Sequence, residues 1–341
     1  MASKTIRVLV TGATGFLGGN ILKAISQNNN FTPVAACRNR DKLPAAYRGE
    51  VLEGDLRDSQ YRKRIVQDID VICHAGTWAA MWKHKAQEHD NFYSPTLDLL
   101  EQSILAGCQR FLMSSTVVLS KPVKNGETID DFARPTYTGH WPHLDRLVDI
   151  DNYMQANANR GMQMVCMRLG HFIGAGNKLG LVPALVPRLK TYLVPWLANG
   201  KSRLPLITDS DLAQAFVAAI LADNLNDYES FNICGNSFPT MHEVIDHIVA
   251  KTGAPRPLYS VPYSAGYLFG YLMETLFPIM PGKGPFLTRS IVHLCEDWSC
   301  TTDYAQQKLR FSAQKNWQAA LDDALAELER YGFPWPYLAQ A

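Results

Sequence analysis

The 341-residue chain has no excess of charge of either sign: 33 Lys and Arg face 32 Asp and Glu, a formal net charge of +1. Without a global field, nucleic acid and strongly anionic bilayers are disfavoured as whole-molecule partners. Cysteine is too sparse for a disulfide-stapled scaffold, since the residues at 37, 73, 108, 166, 234, 295 and 300 are odd in number and scattered. That usage fits a reducing compartment. Low-complexity tracts are missing, and with 47% hydrophobic against 19% charged residues the composition argues for a buried core and against disorder. The opening MASKTIRVLV runs straight into glycines without the apolar length or cleavage site of a secretion signal, so a cytoplasmic protein is expected. The most apolar stretch, Leu258 to Pro281, is broken by prolines and by Glu274, and reads as a buried or membrane-grazing helix rather than a transmembrane segment. Its Tyr263, Tyr267, Phe269, Tyr271, Met273, Phe277 and Met280 are expected in the core first and in an apolar ligand pocket second. Metal-ligand spacing is also missing. His242 and His247 are five apart, which turns them off a common helical face, and His293, Cys295 and Cys300 have no second pair, so no metal is expected.

What is present is a rhythm. Ile6 to Val10, Pro33 to Cys37, Val51 to Glu53, Val71 to His74, Phe111 to Ser115 and Met164 to Leu169 are short and mostly apolar, the mark of strands buried on both faces. Helical patterns such as Glu88 to Ala106 and His143 to Asn159 fall between or beside them. This alternation predicts an α/β fold of the Rossmann type, a doubly wound parallel sheet. Prolines at 183, 187, 195 and 205 then break the pattern, while Asp209 to Leu221 reads as a helix, Phe231 to Cys234 as a strand and Leu321 to Tyr331 as a final helix.

The strongest local signal is Thr11-Gly12-Ala13-Thr14-Gly15-Phe16-Leu17-Gly18, between the first strand and a helix running to about Gln27. Gly12 permits the tight turn, Gly15 lets backbone approach a diphosphate and Gly18 lets helix and strand pack closely. The helix N-terminus, with Thr14, Phe16 and Leu17, offers unpaired N–H groups to the anion. A dinucleotide cofactor is therefore expected on residues 1–175 with 205–235. Residues 176–204 with 236–341 would form a smaller, mostly helical substrate region over the carboxyl edge of the sheet. The second strand runs into Ala36-Cys37-Arg38-Asn39-Arg40, with no acid until Asp41. A carboxylate there would accept from a ribose 2′-OH, whereas a cation pairs with a 2′-phosphate. NADP(H) is accordingly expected ahead of NAD(H), with Arg38 as the clamp and Arg40 second; the duller reading has both arginines solvating a loop. Asp55, beside Leu56 after the third strand, would accept from the adenine amino group unless it caps a helix. Ala75 and Gly76 after the fourth strand leave room for a cofactor along the sheet edge.

Together these residues resemble the extended short-chain dehydrogenase/reductase superfamily, in its NAD-dependent epimerase/dehydratase and 3-beta-hydroxysteroid dehydrogenase-like branch. TGATGFLG, GDLRD, HAG, Asn91 before the long helix and AGCQRFLMSST recur in that order, and the resemblance covers most of residues 5–176 with part of the tail from Leu287 to Phe311. It implies hydride transfer at an apolar ketone or alcohol, a homodimer through paired long helices, and a Ser, Tyr and Lys at the site. Ser115 matches the serine, although a strand-end hydroxyl bonding backbone would look the same. The Tyr-x-x-x-Lys pair is missing: its places fall on Pro142 and Arg146, and the one such spacing, Tyr304 with Lys308, lies in the C-terminal region. Proline has no proton to give, and arginine cannot be deprotonated in a protein.

Three accounts of this gap stand open. A neighbour in the same loop, Tyr137, His140 or His143, supplies the proton while Arg146 supplies the positive field. Alternatively the fold binds the dinucleotide without redox chemistry, as a scaffold or sensor, or it promotes a non-redox isomerisation or cyclisation. Duller readings are a surface place for His143, loop packing for Tyr137, and a salt bridge from Arg146 to Asp145 or Asp149. The expectation is an NADP(H)-binding oxidoreductase with a non-standard proton donor acting on a small apolar substrate.

Overall fold

A computed structural model describes residues 5–124, 126–277 and 284–331. Among these, seven strands form one parallel sheet: β1 (Ile6–Thr11), β2 (Phe31–Cys37), β3 (Glu50–Glu53), β4 (Val71–His74), β5 (Arg110–Thr116), β6 (Gln163–Leu169) and, after three short strands given below, β10 (Tyr228–Ile233). Their order is β10-β6-β5-β4-β1-β2-β3, so the winding reverses between β1 and β4, where Thr11 lies in register with His74. The crevice at such a reversal is where open α/β sheets hold ligands.

Each face of the sheet carries its own apolar layer. One holds α1 (Phe16–Ser26), α7 (Asp209–Leu221) and α11 (Asp303–Leu309); in α1 the residues Leu17, Ile21, Leu22 and Ile25 fall on one side at helical spacing and are buried there, worth roughly 1.5–3 kcal/mol each as an upper estimate. The other holds α2 (Ser59–Ile65), α4 (Ser94–Leu105) and α5 (Pro142–Ala156). The helix expected over Glu88 to Ala106 begins earlier, as α3 (Lys85–Glu88), and passes through a π-type turn at His89–Tyr93 before α4. Such turns cluster at functional sites.

Beyond the sheet, β7 (His171–Ile173) pairs with β9 (Leu206–Thr208), and β8 (Trp196–Leu197) with β11 (Ser260–Val261). A third apolar cluster joins α6 (Leu181–Leu189), α8 (Met241–Thr252) and α12 (Trp317–Tyr331). The prolines read as breaks did not prevent α6: Pro183 sits in the first turn, where its missing N–H costs nothing, while Pro187 lies inside the helix and removes one intrahelical hydrogen bond. Glu243 closes a capping box with Thr240, and His242 stacks on Trp196, which gives that pair structural duties. Finally α9 (Tyr263–Leu276) packs on α10 (Arg289–Leu294). Ala305, Leu309, Phe311 and Ala313 return to the core beside β10, so this part of the tail packs with the sheet rather than with the substrate region.

Candidate active site

The glycine turn has the stereochemistry its residues demand. Gly12 has φ +61°, and a Cβ there would lie 2.7 Å from the Ala75 carbonyl oxygen and from Gly76 backbone. At Gly18 a Cβ would stand 2.3 Å from the Gly12 oxygen, whereas at Gly15 only that oxygen, at 3.3 Å, comes within 4 Å. Two glycines are thus needed for packing and the third keeps an open approach. Gly15 caps α1 without a side-chain hydrogen bond, and no acid occupies the first turn, while Thr14 and Gly15 are exposed, Phe16 is half-buried and Leu17 is buried. An N-terminus left in that state suits an anion. Gly76 N–H donates to Thr11 Oγ1 at 3.1 Å, and a Cβ on Gly76 would lie 3.0 Å from Leu56, so Leu56, Ala75 and Gly76 line up beside the turn. These residues fit a dinucleotide.

Arg38 is exposed just past β2 and makes no hydrogen bond among the described residues; its charge, with that of Arg57, helps hold the Asp55 carboxyl below the usual carboxylate range. Arg57 is the larger cause, binding Asp55 at 2.7 and 3.1 Å. Asp58, not Asp55, caps α2 by accepting from Gln60 N–H at 2.9 Å. Arg40 opens a short 3-10 turn that Asn39 caps.

At the end of β5, Ser115 is buried and its hydroxyl has no well-formed hydrogen bond among the described residues, with the Cys166 thiol beside it. Ser114 instead donates to the His74 carbonyl at 2.8 Å. Pro142 is the first residue of α5, and Arg146 binds Asp149 at 2.7 Å while lying over the Tyr93 ring, so the salt bridge weighed for it is formed. Tyr137 is exposed and donates to Asp149 at 2.8 Å, which raises its pKa. His143 is half-buried rather than fully at the surface: it packs against Phe92, with Nδ1 3.2 Å from the Glu88 carboxylate, which is itself wholly buried and accepts from Ala80 N–H.

A cleft of about 400 Å³ opens beside Pro142. Lys83 lines it from the loop before α3, Gly139 and His140 from the loop before α5, Tyr271, Glu274 and Thr275 from α9, and Arg289 from α10. Arg289 Nη2 and Nε both donate to Glu274 Oε2, at 2.7 and 3.0 Å. Tyr137 and His143 are not among the lining residues, whereas His140 is. His140 Nδ1 lies 3.0 Å from the Thr138 carbonyl, which can only accept, so Nδ1 carries the hydrogen and Nε2 the lone pair. That Nε2 is buried without a partner among the described residues, and burial, aided by Arg289, pushes the ring's pKa below the ordinary histidine value. His171, the second residue beyond β6, also has an unpartnered Nε2 and is pushed down to about 4 by burial.

Sequence reasoning passed over His171, Lys83, Glu88 and the Glu274–Arg289 pair. His171 had a signal, its place just past the carboxyl end of a strand; Lys83 lies in a loop, Glu88 in α3, Glu274 in α9 and Arg289 in α10, none of them in a motif. The aromatics expected in the core divide. Tyr263 and Tyr267 are half-buried and donate to the Cys295 carbonyl and to Glu296, but Phe269 and Tyr271 are largely exposed, and Met280 lies outside the described residues. No described helix is long and apolar enough to cross a membrane.

Over most of its length the chain is similar to known proteins. It is 23% identical to 2-alkyl-3-oxoalkanoate reductase of Shewanella oneidensis over 85% of this chain and 78% of that one. Identity to the protein of the same name from Stenotrophomonas maltophilia is also 23%, over 85% and 89%. Among solved structures, UDP-glucose 4-epimerase of Thermotoga maritima with UDP-glucose superposes with a TM-score of 0.73 at 15% identity, covering 96% of this chain and 99% of that one. The UDP-glucose 4-epimerase of Thermus thermophilus in complex with NAD gives 0.71 at 17% identity, over 95% and 99%. The family model of the NAD dependent epimerase/dehydratase family matches residues 8–234, which includes the glycine turn, the strand-end residues and the main sheet from within β1 through β10. The chain therefore belongs to that family, one of NAD(P)-dependent enzymes of the oxidoreductase type.

Proposed function

We propose that the protein is an NADP(H)-dependent oxidoreductase for a bulky apolar ketone or alcohol, with His140 handling the proton that the missing tyrosine would handle. The observation that carries this is His140, which lines the cleft beside Pro142 and whose buried Nε2 has no partner among the described residues. When bound, the nicotinamide coenzyme supplies or accepts the hydride. The protein's own part is to position the carbonyl or hydroxyl oxygen and move one proton. Ser115 offers a hydroxyl with no well-formed hydrogen bond among the described residues, only the Cys166 thiol beside it. His140 in its neutral form accepts the proton of a substrate alcohol at Nε2 and, once protonated, returns it to the oxygen in the reverse direction. Its lowered pKa keeps the basic form dominant near neutrality, which favours alcohol oxidation there and ketone reduction at lower pH. Arg38, exposed just past β2, would pair with a 2′-phosphate. Two relatives are named for reducing a 2-alkyl-3-oxoalkanoate, and Lys83 in the cleft would complement the carboxylate of such a ketone. A homodimer through α4 and α5, and a substrate region of residues 176–204 with 236–341 apart from the Ala305–Ala313 stretch that packs with the sheet, belong to the same reading.

The test is single turnover of bound NADPH with a panel of long-chain ketones, and of NADP⁺ with the matching alcohols, followed by nicotinamide absorbance. Oxidation of NADPH by at least one ketone is expected. In His140→Gln the rate should fall by about 10²–10⁴-fold with NADPH affinity unchanged. Tight NADPH binding with no turnover across the panel would favour the redox-silent scaffold instead.

A further inference from the structure

The helix α9 is built inside out. Over its 14 residues the buried positions are Gly266, Gly270 and Glu274, two glycines and a glutamate in one stripe at four-residue spacing, while Leu268, Phe269, Leu272 and Leu276 stand 45–61% exposed on the opposite side. The stripe is tight by necessity: a Cβ at Gly270 would lie 2.9 Å from the Arg289 nitrogen, and one at Gly266 3.0 Å from Leu197. Glu274 is the one charged residue of α9, and it is buried on Arg289, so the outer face carries no charge. A surface helix of a water-soluble fold normally shows the reverse pattern.

The surroundings of this face favour one occupant. Trp82 meets Phe277 edge-on at 5.3 Å, which fixes the run Lys83-His84-Lys85 beside the carboxyl end of α9. All three residues of the run are exposed, and neither lysine has an ion-pair partner among the described residues. Leu258 and Tyr259, leading into β11, and Leu193, whose carbonyl accepts from Tyr259 at 3.2 Å, extend the exposed apolar surface beyond the amino end. Leucines and a phenylalanine bordered by tyrosine, tryptophan and unpaired lysines match the acyl-to-headgroup boundary of an anionic bilayer.

We propose that the outer face of α9 rests on an anionic lipid surface, with the helix lying in the interface plane. Tyr271 and Thr275 of the same helix line the cleft, so docking would set the cleft mouth at the bilayer, where an apolar substrate dissolves. That last clause rests on the oxidoreductase reading; the docking does not.

Flotation with vesicles of phosphatidylcholine and phosphatidylglycerol tests it on the full chain. The wild type should float with these vesicles and float less with pure phosphatidylcholine. The double variant Leu268→Glu/Leu272→Glu should lose bound fraction about tenfold or more, whereas Leu105→Glu, a still more exposed leucine on α4, should not. NADPH affinity measured in solution on each variant reports folding and the cofactor site separately. No flotation of the wild type, or flotation that L268E/L272E leaves intact, overturns the proposal. So does light scattering that shows a wild-type dimer made monomeric by L268E/L272E without vesicle binding, which would make the face a self-interface.

Discussion

Arg38 and His140 illustrate how far one side chain carries a functional statement. Arg38 is exposed, unbonded and placed just past β2, so Arg38→Asp should weaken NADPH by about 10- to 100-fold, the scale of losing a charge-assisted hydrogen bond, and change NADH far less. Titration calorimetry with both coenzymes checks it; equal losses would remove the phosphate clamp. His140 could be named from its place in the loop, but not ranked above Tyr137 or His143. Ranking needed the direction of each ring: Tyr137 is held by Asp149, His143 by Glu88, and His140 alone of the three lines the cleft. Those differences arise from partners 12 and 55 residues away in sequence, which no local pattern encodes.

Among the elements, β1, the glycine turn and α1 were the most legible, because backbone stereochemistry and ligand chemistry make the same demand on the same residues. The turn also yields a paired prediction. Gly18→Ala should destabilise the protein by about 1–3 kcal/mol, since its Cβ meets backbone at 2.3 Å and backbone cannot yield as a side chain end can. Gly19→Ala, one position on in the same helix, meets nothing closer than 3.6 Å and should stabilise by about 0.5–1 kcal/mol. Urea denaturation of the two variants measures both, and the same sign for both would refute the packing argument. By contrast α9 was legible as an apolar helix but not as an exposed one. Apolar residues surround nearly its whole circumference, so periodicity could not say which side faces the protein. The glycine stripe decided it, through close approach to α10.

At the scale of the whole molecule, buried ionisable groups couple folding to pH. His74, between Thr11 and Thr96 in the sheet core, is held down to about 4 by burial, and His171 likewise. Because the unfolded chain binds these protons near the ordinary histidine value, both rings contribute stability that is lost as pH falls from there through 4. Asp131, raised to about 6 by burial, acts in the opposite sense: its contribution is present at acid pH and lost as pH rises through 6. For His74 alone the loss between about pH 6.5 and 5 is about 2 kcal/mol. His74→Gln should therefore flatten the fall in urea midpoint over that range, whatever its midpoint at neutrality, and an unchanged slope would show that His74 is not the responsible group.

The sequence by itself determined the parallel sheet, the glycine turn and the missing tyrosine–lysine pair, because strands buried on both faces, tight turns and absent functional groups are local and need no partner to be read. Only the tertiary structure decided which histidine meets the cleft, that the Leu309 region rejoins the sheet core, and that α9 turns its glycines inward and its leucines out. Each of those depends on contacts between segments far apart in the chain, and the side of a helix or ring that is buried is a property of what packs against it.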